Sequence, residues 1–338
     1  MIEVAELKRQ ALDIGFSACG IARAERVDAK TEQGLRQWLS DGMNAGMEYM
    51  DNYLDMRLDP RLLMPGLKTI VSVALNYAPA QTMPKSQPQM ASYALGQDYH
   101  TVVRDKLLQL AARIMPKEVH FNGKKPIPSP RYRVFVDSGP VLERYWAVKA
   151  GLGWMGKNHQ LIIPHAGSMF FLGELFLDIE LTPDDPMPNH CGICRRCIDA
   201  CPTHALLESG EFNADRCLSY QTIENKGELS EEAQSAMGNC FYGCDRCQQA
   251  CPWNRFAKPN TTPELQPKEE LLEMTLDKWR QLSVEDYRRL FKGSAVKRAK
   301  YEGLMRNIRH LKQEQILIRT HSDPNTKLNN KDQYASNH

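Results

Sequence analysis

Four cysteines spaced Cys191-x2-Cys194-x2-Cys197-x3-Cys201 and followed by Pro202 are the feature that most limits how this chain can fold. In bacterial ferredoxins this spacing places three thiolates around one four-iron cluster and sends the fourth to a second cluster. Nine of the ten cysteines lie between residues 191 and 251, which favours bound metal over disulfides. Zinc and merely buried thiols are the alternatives, but zinc sites rarely repeat this spacing, so two iron-sulfur clusters are predicted.

A second run, Cys244-x2-Cys247-x3-Cys251-Pro252, lacks its first cysteine, because Phe241 stands where that residue belongs. Two cysteines are available for the missing position: Cys217 outside the run and Cys240 one residue out of register. A one-residue slip on a tight loop redirects the Cβ atom, so Cys217 is the preferred ligand. The crossed arrangement predicts two ligand sets, Cys191, Cys194, Cys197 and Cys251 for one cluster and Cys201, Cys217, Cys244 and Cys247 for the other.

Two clusters move electrons but do no bond chemistry, so the rest of the chain is expected to hold whatever accepts them. Helical patterns alternate with β-rich runs before residue 180, which predicts an α/β or α+β domain. The predicted divisions are a first domain at 1–180, a ferredoxin-like domain at 181–258, a basic segment at 259–312 with helices near 263–282 and 284–310, and a disordered tail at 313–338. Surface loops are predicted at 81–89 and 124–130.

The string Gly151-Leu-Gly-Trp-Met-Gly156 matches the G-x-G-x-x-G pattern of dinucleotide-binding folds, but its context does not fit. That pattern needs a strand before it and a helix after it. Here residues 141–150 are predicted to be helical, with Pro140 in the first turn. A glycine-rich turn between a helix and a strand is therefore predicted.

The string Val134-Phe-Val-Asp-Ser-Gly-Pro140 places the carboxyl group of Asp137 at the end of an apolar strand, where ligands often meet a sheet. Taken alone, this residue is better explained by a turn or capping role. The string Asp98-Tyr-His100 is similar to a lower-ligand motif of some corrinoid proteins, but Val103 replaces the glycine that the motif requires. No histidine ligand is predicted from it.

The charges nearly balance, with 43 Lys and Arg against 41 Asp and Glu, so no broad nucleic-acid surface is predicted. Residues 288–312 nevertheless carry nine Lys or Arg against one acid, Glu302. This basic segment is either a phosphate-binding face or an ordinary solvated helix. The first residues lack an apolar signal region and no uncharged stretch approaches ~20 residues, so a cytoplasmic protein without a membrane partner is predicted.

Six strings, in this order along the chain, resemble epoxyqueuosine reductases: YALGQDYH at 93–100, VDSGPVLER at 136–144, KAGLGWMGK at 149–157, GSMFFLGE at 167–174, CLSYQTIE at 217–224 and GCDRCQQACPWN at 243–254. The resemblance runs from the N-terminus to about residue 308. It implies a nitroreductase-like α/β cobalamin-binding domain, then a ferredoxin-like domain with two 4Fe-4S clusters and a short C-terminal helical segment.

The resemblance implies reduction of epoxyqueuosine to queuosine at the wobble position of tRNA, the last step of queuosine biosynthesis. Electrons would pass from an external donor through the two clusters to base-off cobalamin. Asp137 would donate the proton, with a pKa raised by burial, in place of the capping role. In the family the cysteine before Ser-Tyr-x-Thr-Ile-Glu fills the missing ligand position, which agrees with Cys217.

The resemblance also implies binding residues. Cobalamin contacts fall on Arg57, Asp137, Lys157, Asn158, Ser168, Ser219, Tyr220, Gln221, Thr222, Tyr242 and Gly243. The tRNA contacts are expected on Lys297, Arg298, Lys300 and Arg306. Beyond Arg306 the chain departs from the family pattern, so a shorter form without further helical repeats, acting as a monomer, is expected.

Two other functions stay open from the sequence. A reductive dehalogenase would share cobalamin and iron-sulfur clusters, although those enzymes usually carry a twin-arginine export signal that this N-terminus lacks. A non-catalytic ferredoxin-like carrier would bind no corrinoid and would leave the basic segment unexplained.

Overall fold

The computed structural model of this protein describes residues 3–115 and 131–312. The predicted loop at 124–130 and the predicted tail at 313–338 lie outside the described residues. Within them, no helix is long and apolar enough to cross a membrane.

Helices and strands alternate through the first part of the described chain, and short helices dominate the rest. The α-helices are α1 (Val4–Ile14), α2 (Ala29–Ser40), α3 (Leu54–Leu58), α4 (Tyr99–Ile114), α5 (Glu143–Lys149), α6 (Arg196–Asp199), α7 (Leu218–Ile223), α8 (Glu231–Ala236), α9 (Arg246–Gln249), α10 (Glu269–Leu272), α11 (Leu276–Arg280), α12 (Val284–Leu290) and α13 (Lys300–Arg309). The strands are β1 (Ala18–Arg23), β2 (Thr69–Asn76), β3 (Gln89–Met90), β4 (Tyr132–Phe135), β5 (Trp154–Met155), β6 (Leu161–Ile162), β7 (Phe170–Leu177) and β8 (Cys240–Tyr242).

The main sheet has the strand order β1-β2-β7-β4, and every neighbouring pair is antiparallel. Side chains alternate between its two faces, as the two-residue period of a strand requires. On β2, Val71 and Val73 pack into the core shared with α1 and α4, whereas Ile70 and Ala74 face the core under α5. The sheet is therefore covered on both faces, and the α+β prediction for this domain is confirmed.

The helix α5 begins at Glu143, so Pro140 lies before the helix and not in its first turn as predicted. The glycine string is confirmed as a turn, because it joins α5 to the hairpin of β5 and β6.

The two long helices predicted after residue 259 are instead several short ones. Side chains of Thr275 and Ser283 accept hydrogen bonds from the backbone N–H groups of Lys278 and Asp286, and each begins a new helix. These N-caps satisfy backbone donors that a continuous helix would bond internally. The chain therefore turns at each cap and wraps a compact core.

That core is shared between distant parts of the sequence. Met90 from β3 packs with Phe241 of β8 and with Trp279 of α11. The strands β3 and β8 pair in parallel. A segment from the predicted first domain thus belongs to the core of the C-terminal half.

Candidate active site and cysteine cradles

The candidate acid, Asp137, follows β4 and lies beside the start of α4. Tyr99 is the first residue of that helix, and its hydroxyl donates a hydrogen bond to the Asp137 carboxylate. His100 lies next to it, with Nε2 3.6 Å from Asp137 Oδ2. The other ring nitrogen of His100 is 2.7 Å from Oδ1 of Asp98, the helix N-cap. Two consecutive side chains, Tyr99 and His100, therefore contact the Asp137 carboxylate, and Asp98 holds His100 from the other side.

Aromatic packing fixes this arrangement. The ring of Tyr99 stacks on Phe171 of β7 at 4.3 Å between centroids and on His100 at 4.1 Å. Asp137 itself has φ 53, a left-handed backbone that a non-glycine residue adopts at a cost. Such a conformation persists only where surrounding contacts hold it.

The charge state of Asp137 differs from the prediction. Partial desolvation pushes its pKa upward, but the hydrogen bonds from His100 and Tyr99 outweigh desolvation and hold the pKa of Asp137 below its usual value. The same contact with Asp137, together with that to Asp98, raises the pKa of His100 to about 9. The proton at neutral pH is therefore on His100, and the predicted raised pKa of Asp137 is wrong.

The first cysteine cradle surrounds a cavity of about 120 Å³. Its wall includes all four members of the first predicted ligand set, Cys191, Cys194, Cys197 and Cys251. Burial and then the neighbouring thiols Cys191 and Cys194 raise the pKa of Cys251. Thiolates packed this closely repel one another, and bound iron would offset that repulsion.

The second set also comes together. Burial and then the thiols Cys244, Cys217 and Cys201 raise the pKa of Cys247. Cys217 precedes α7 and also acts on Cys244, whose pKa burial raises to about 12. Cys240, the first residue of β8, borders Cys244. The fold thus brings both sequence-predicted sets together, and Cys217 interacts electrostatically with every other member of its set.

Lys157 and Asn158 lie in the turn between β5 and β6, against the first cradle. The Lys157 ammonium donates to the carbonyl oxygens of Gly192 and Cys194 at 2.8 and 2.9 Å. Asn158 lines the cradle and its buried Nδ2 has no acceptor within the described residues. Arg57 of α3 has a similar buried Nε without an acceptor there. Arg57 and Asn158, two of the predicted cofactor residues, thus each have a buried N–H group that is able to donate to a bound cofactor.

Several other predicted cofactor residues use their side chains inside the protein. The Tyr242 side chain is fully buried and donates to Ala295 O at 3.0 Å, so the predicted side-chain contact is corrected to a packing role. Ser168 Oγ accepts from Asn254 Nδ2 at 3.0 Å. Gln221 donates to Asp215 O, and Thr222 Oγ1 accepts from Gly243 N. Ser219 and Tyr220 lie on the helix α7.

The basic segment divides into exposed and buried cations. Lys297 and Lys300 are exposed. Arg298 is exposed too and forms a two-point ion pair with Glu224 at 2.8 Å while its guanidinium lies 5.5 Å from the ring of Tyr49. Tyr49 lies near Asp137, whose charge contributes to raising the pKa of Tyr49 to about 12, after burial and Glu224.

Arg306 is a correction to the predicted tRNA contacts. Its side chain is buried, with 5 % of the residue exposed. The guanidinium donates to the carbonyl oxygens of Gln221, Asn225 and Gly227. Since its donors are used inside the protein, Arg306 cannot face a phosphate.

Sequence reasoning missed four residues around Asp137. Tyr99 and His100 were seen only as a polar string, and Glu143 and Glu174 were not considered. One available signal was the glutamate inside the apolar strand Phe170–Leu177, since a charged residue in a buried strand needs an explanation. The convergence itself depends on α4, β4 and β7 meeting in space.

Two family models match the chain. One, described as "4Fe-4S double cluster binding domain", covers residues 190–254. The other, described as "Epoxyqueuosine reductase QueG, DUF1730", covers residues 57–138. The first decides between iron-sulfur and zinc: the cysteine module is one that binds two 4Fe-4S clusters.

An acid held by Tyr99 and His100 and joined to a double-cluster module is typical of an iron-sulfur oxidoreductase. Proteins of similar sequence identify the family within that class. An epoxyqueuosine reductase of Cellulophaga algicola is 42 % identical over 90 % of this chain and 97 % of the relative. One of Leadbetterella byssophila is 44 % identical over 91 % of this chain and 98 % of the relative. The chain belongs to the epoxyqueuosine reductase family.

Solved structures agree with this assignment. A crystal structure of epoxyqueuosine reductase with a tRNA-Tyr epoxyqueuosine-modified stem loop matches with a TM-score of 0.80 and 30 % identity, over 90 % of this chain and 80 % of that chain. A Bacillus subtilis epoxyqueuosine reductase, solved with its catalytic aspartate loop swung out of the active site, has a TM-score of 0.80 and 30 % identity over 95 % of this chain and 86 % of that chain. The predicted two-part fold is confirmed.

Proposed function

We propose that this protein reduces epoxyqueuosine to queuosine at the wobble position of tRNA, the last step of queuosine biosynthesis. The observation that carries the proposal is the match, across 90 % of the chain, to a reductase solved with an epoxyqueuosine-modified stem loop. Converting an epoxide to an alkene releases the oxygen as water and consumes two electrons and two protons. The two clusters and cobalamin, when bound, supply the electrons, which an external donor must replace.

Asp137 delivers protons to the oxygen that leaves. A bare oxyanion is costly in a site shielded from water, so a positioned acid accelerates its departure. The proton is stored on His100, which is protonated at neutral pH because its pKa is about 9. Asp137 lies between this imidazolium and the open side of the pocket, where its side chain is 56 % exposed. The hydrogen bond from the Tyr99 hydroxyl fixes the orientation of the Asp137 carboxylate.

The two gathered cysteine sets hold the clusters. Cys191, Cys194, Cys197 and Cys251 bind the first, and Cys201, Cys217, Cys244 and Cys247 bind the second. Support for this assignment comes from the first cavity, whose wall contains all four thiols of one set. A four-iron cluster binds one thiolate at each of its four iron atoms, which is the number of thiols that this wall offers.

Arg57 and Asn158 are the residues best suited to bind a large polar cofactor. Each has a buried nitrogen donor without an acceptor in the described parts of the chain. An unused buried donor costs free energy, and a hydrogen bond to a ligand removes that cost. Backbone groups of Ser168, Gly243 and α7 complete the proposed cobalamin site, with Ser219 as an available side chain.

The exposed cations Lys297, Arg298 and Lys300 bind tRNA phosphates. Arg298 also links the basic segment to the active site, since it pairs with Glu224 and lies over Tyr49. A tRNA substrate places the activity in the cytoplasm. The divisions at 1–180, 181–258 and 259–312 describe the functional parts, with segment 83–95 crossing from the first into the last.

The loop that carries Asp137 moves during the reaction. The left-handed backbone of Asp137 and the swung-out catalytic loop of the Bacillus subtilis relative support this proposal. In this structure the loop is turned inward, so that the Asp137 carboxylate contacts His100 and Tyr99.

An anaerobic single-turnover assay tests the function. Protein with reconstituted clusters, cobalamin and a chemical reductant is given an anticodon stem-loop bearing epoxyqueuosine, and its nucleosides are analysed by mass spectrometry. Loss of one oxygen only when cobalamin is present is the expected result. No conversion with clusters and cobalamin bound would contradict the proposal and favour the dehalogenase alternative, whereas no cobalamin binding would favour the electron carrier.

A further inference from the structure

A buried carboxyl group lies under the active site without a role in the proposed reaction. Glu174 on β7 is 0 % exposed and pairs in register with Ser72 of β2. The Ser72 hydroxyl donates to Oε1 at 3.4 Å, but Oε2 has no hydrogen-bond donor within the described residues. A buried carboxylate oxygen without a donor is costly, so this atom needs an explanation.

The neighbouring group is a second carboxyl. Glu143, the first residue of α5, lies within hydrogen-bonding reach of Glu174. Two carboxylates in contact, one of them fully buried, repel each other, and a single proton between them removes the repulsion and supplies the missing donor. Burial and the charge of Asp137 raise the pKa of Glu143 to about 8. Burial and Glu143 raise the pKa of Glu174 well above its usual value.

Glu143 is also tied to the catalytic loop. Its Oε1 accepts the backbone N–H of Asp137, the residue with the left-handed backbone. A hydrogen bond at the Asp137 backbone nitrogen fixes the direction in which the Asp137 side chain projects from the backbone. That direction brings the carboxylate to His100 and Tyr99.

We propose that Glu143 and Glu174 share one proton, and that this pair is the anchor that holds the Asp137 loop in its catalytic position. The inference rests on the proposed role of Asp137. Both glutamates are positioning residues, because they act on the substrate only through Asp137. Loss of the shared proton leaves two repelling carboxylates, displaces Glu143 and frees the Asp137 N–H.

The charged and titratable groups around the Glu143–Glu174 pair determine the pH at which the shared proton is lost. Asp137 disfavours loss of the proton, Arg144 on α5 favours it, and Tyr99 on α4 lies close to Glu143 without a charge at neutral pH. Since the pKa of Glu143 is raised in the folded protein, the anchor's contribution to stability is fully present below its usual pKa of 4.5. It is lost as the pH rises through about 8.

Amide hydrogen exchange, measured by mass spectrometry on the peptide around residues 134–142, tests the anchor without tRNA or cofactor turnover. Rates are corrected for the known pH dependence of exchange in unstructured peptides. The pair keeps about nine-tenths of its protons one pH unit below the pKa and about one-tenth one unit above it. Protection of the Asp137 amide is therefore expected to fall about tenfold between pH 7 and pH 9.

Two substitutions separate the shared proton from general packing. Glu174→Gln places a permanent N–H donor against Glu143, so protection should be equal at pH 7 and pH 9. Glu143→Ala removes the acceptor, so protection should be low at both pH values. Glu180→Gln, at a side chain 71 % exposed, is the matched charge control and should behave like the unchanged protein.

The proposal is overturned if the unchanged protein is equally protected at both pH values, or if Glu174→Gln loses protection as the unchanged protein does. Circular dichroism checks that each variant folds. If Glu143→Ala does not fold, the comparison of Glu174→Gln with the unchanged protein decides the question. If neither Glu174→Gln nor Glu143→Ala folds, the pH comparison on the unchanged protein decides it.

The single-turnover rate gives a second readout. The alkaline loss of activity near pH 8 in the unchanged protein should shift in Glu174→Gln to near pH 9, where His100 loses its stored proton. Should the exchange results hold while no epoxide is reduced at any pH, the anchor stands and the proposed reaction is wrong. An alkaline loss of activity that stays near pH 8 in Glu174→Gln would overturn the anchor and leave the proposed reaction untouched.

Discussion

Asp137 shows how far neighbouring side chains can change what one residue does. Its position after an apolar strand is compatible with capping, but in the structure it meets a hydroxyl from Tyr99 and a protonated ring from His100. These partners come from 38 and 37 residues earlier in the chain, and spacing alone does not bring them together. The sequence predicted the location of the acid, whereas its charge state needed the packing of α4 against the sheet.

At this scale we predict that Asp137→Asn lowers the single-turnover rate by about 10²–10⁴-fold, the usual contribution of a positioned acid. The amide keeps the shape of the carboxyl group but cannot carry a proton to the leaving oxygen. Absorption spectra should show clusters and cobalamin bound as before. The matched control is Asp277→Asn on the exposed side of α11, and a normal rate in the Asp137 variant would exclude it as the acid.

Among the elements, the cysteine runs were the most predictable. Ligand spacing is a local property, because each Cys-x2-Cys segment must wrap one cluster whatever the rest of the chain does. The remote ligand, Cys217, was placed by a register argument and by resemblance. In the structure α7 carries it to Cys201 and Cys247, while Cys240 lies beside Cys244.

We predict that Cys217→Ala lowers the iron content from about eight to about four atoms per chain, because one four-iron cluster loses a corner ligand. Cys240→Ala should retain about eight. Iron and acid-labile sulfide are measured on anaerobically reconstituted protein. The reverse result, with Cys240→Ala as the cluster-deficient variant, would assign that thiol to the second cluster.

The helix α13 illustrates why counting charges in a segment overestimates a binding surface. Arg306 and Asn307 face inward, and Asn307 donates to the carbonyl oxygens of Thr222 and Phe241 at 2.7 and 2.9 Å. They tie α13 to α7 and β8, which flank the second cysteine set. Helical periodicity distributes cations around a helix, but which side is buried depends on what packs there.

We predict that Arg306→Ala and Lys297→Ala fail in different ways. Arg306→Ala leaves buried carbonyl oxygens without donors and should cost roughly 3 kcal/mol of stability, seen as a lower melting temperature. Lys297→Ala should leave the melting temperature unchanged and weaken stem-loop binding, with the slope of log affinity against log salt reduced by about 1. A stable Arg306→Ala protein with only weaker RNA binding would restore Arg306 as a tRNA contact.

Over the whole molecule, the two halves share a core. Met90 packs against Phe241 and Trp279, and Ser168 next to the main sheet binds Asn254 after the last cysteine. The approach at Gly167 is close, since a Cβ atom there would lie 2.3 Å from Asn254 Oδ1 and the residue has φ +90. Electron transfer from the clusters to the first domain requires a fixed distance, which such contacts provide.

We therefore predict that the cluster-loaded chain unfolds as one unit. Met90→Ala removes a buried side chain from the shared core and should cost about 3 kcal/mol. Loss of near-ultraviolet circular dichroism and loss of cluster absorbance should move to lower temperature together. Leu62→Ala, at a residue 53 % exposed, should move neither. Separate transitions, with cluster absorbance unaffected by Met90→Ala, would show that the halves are independent.

The sequence by itself determined the iron-sulfur module, the α+β class of the first domain, the position of the proposed acid and the family, because these depend on ligand spacing, on strand periodicity and on strings of adjacent residues. Only the tertiary structure decided the protonation of His100, the pairing of Glu143 with Glu174 and the burial of Arg306. Each of these depends on the electrostatic environment that distant elements create when they pack, and that environment exists only in the folded chain.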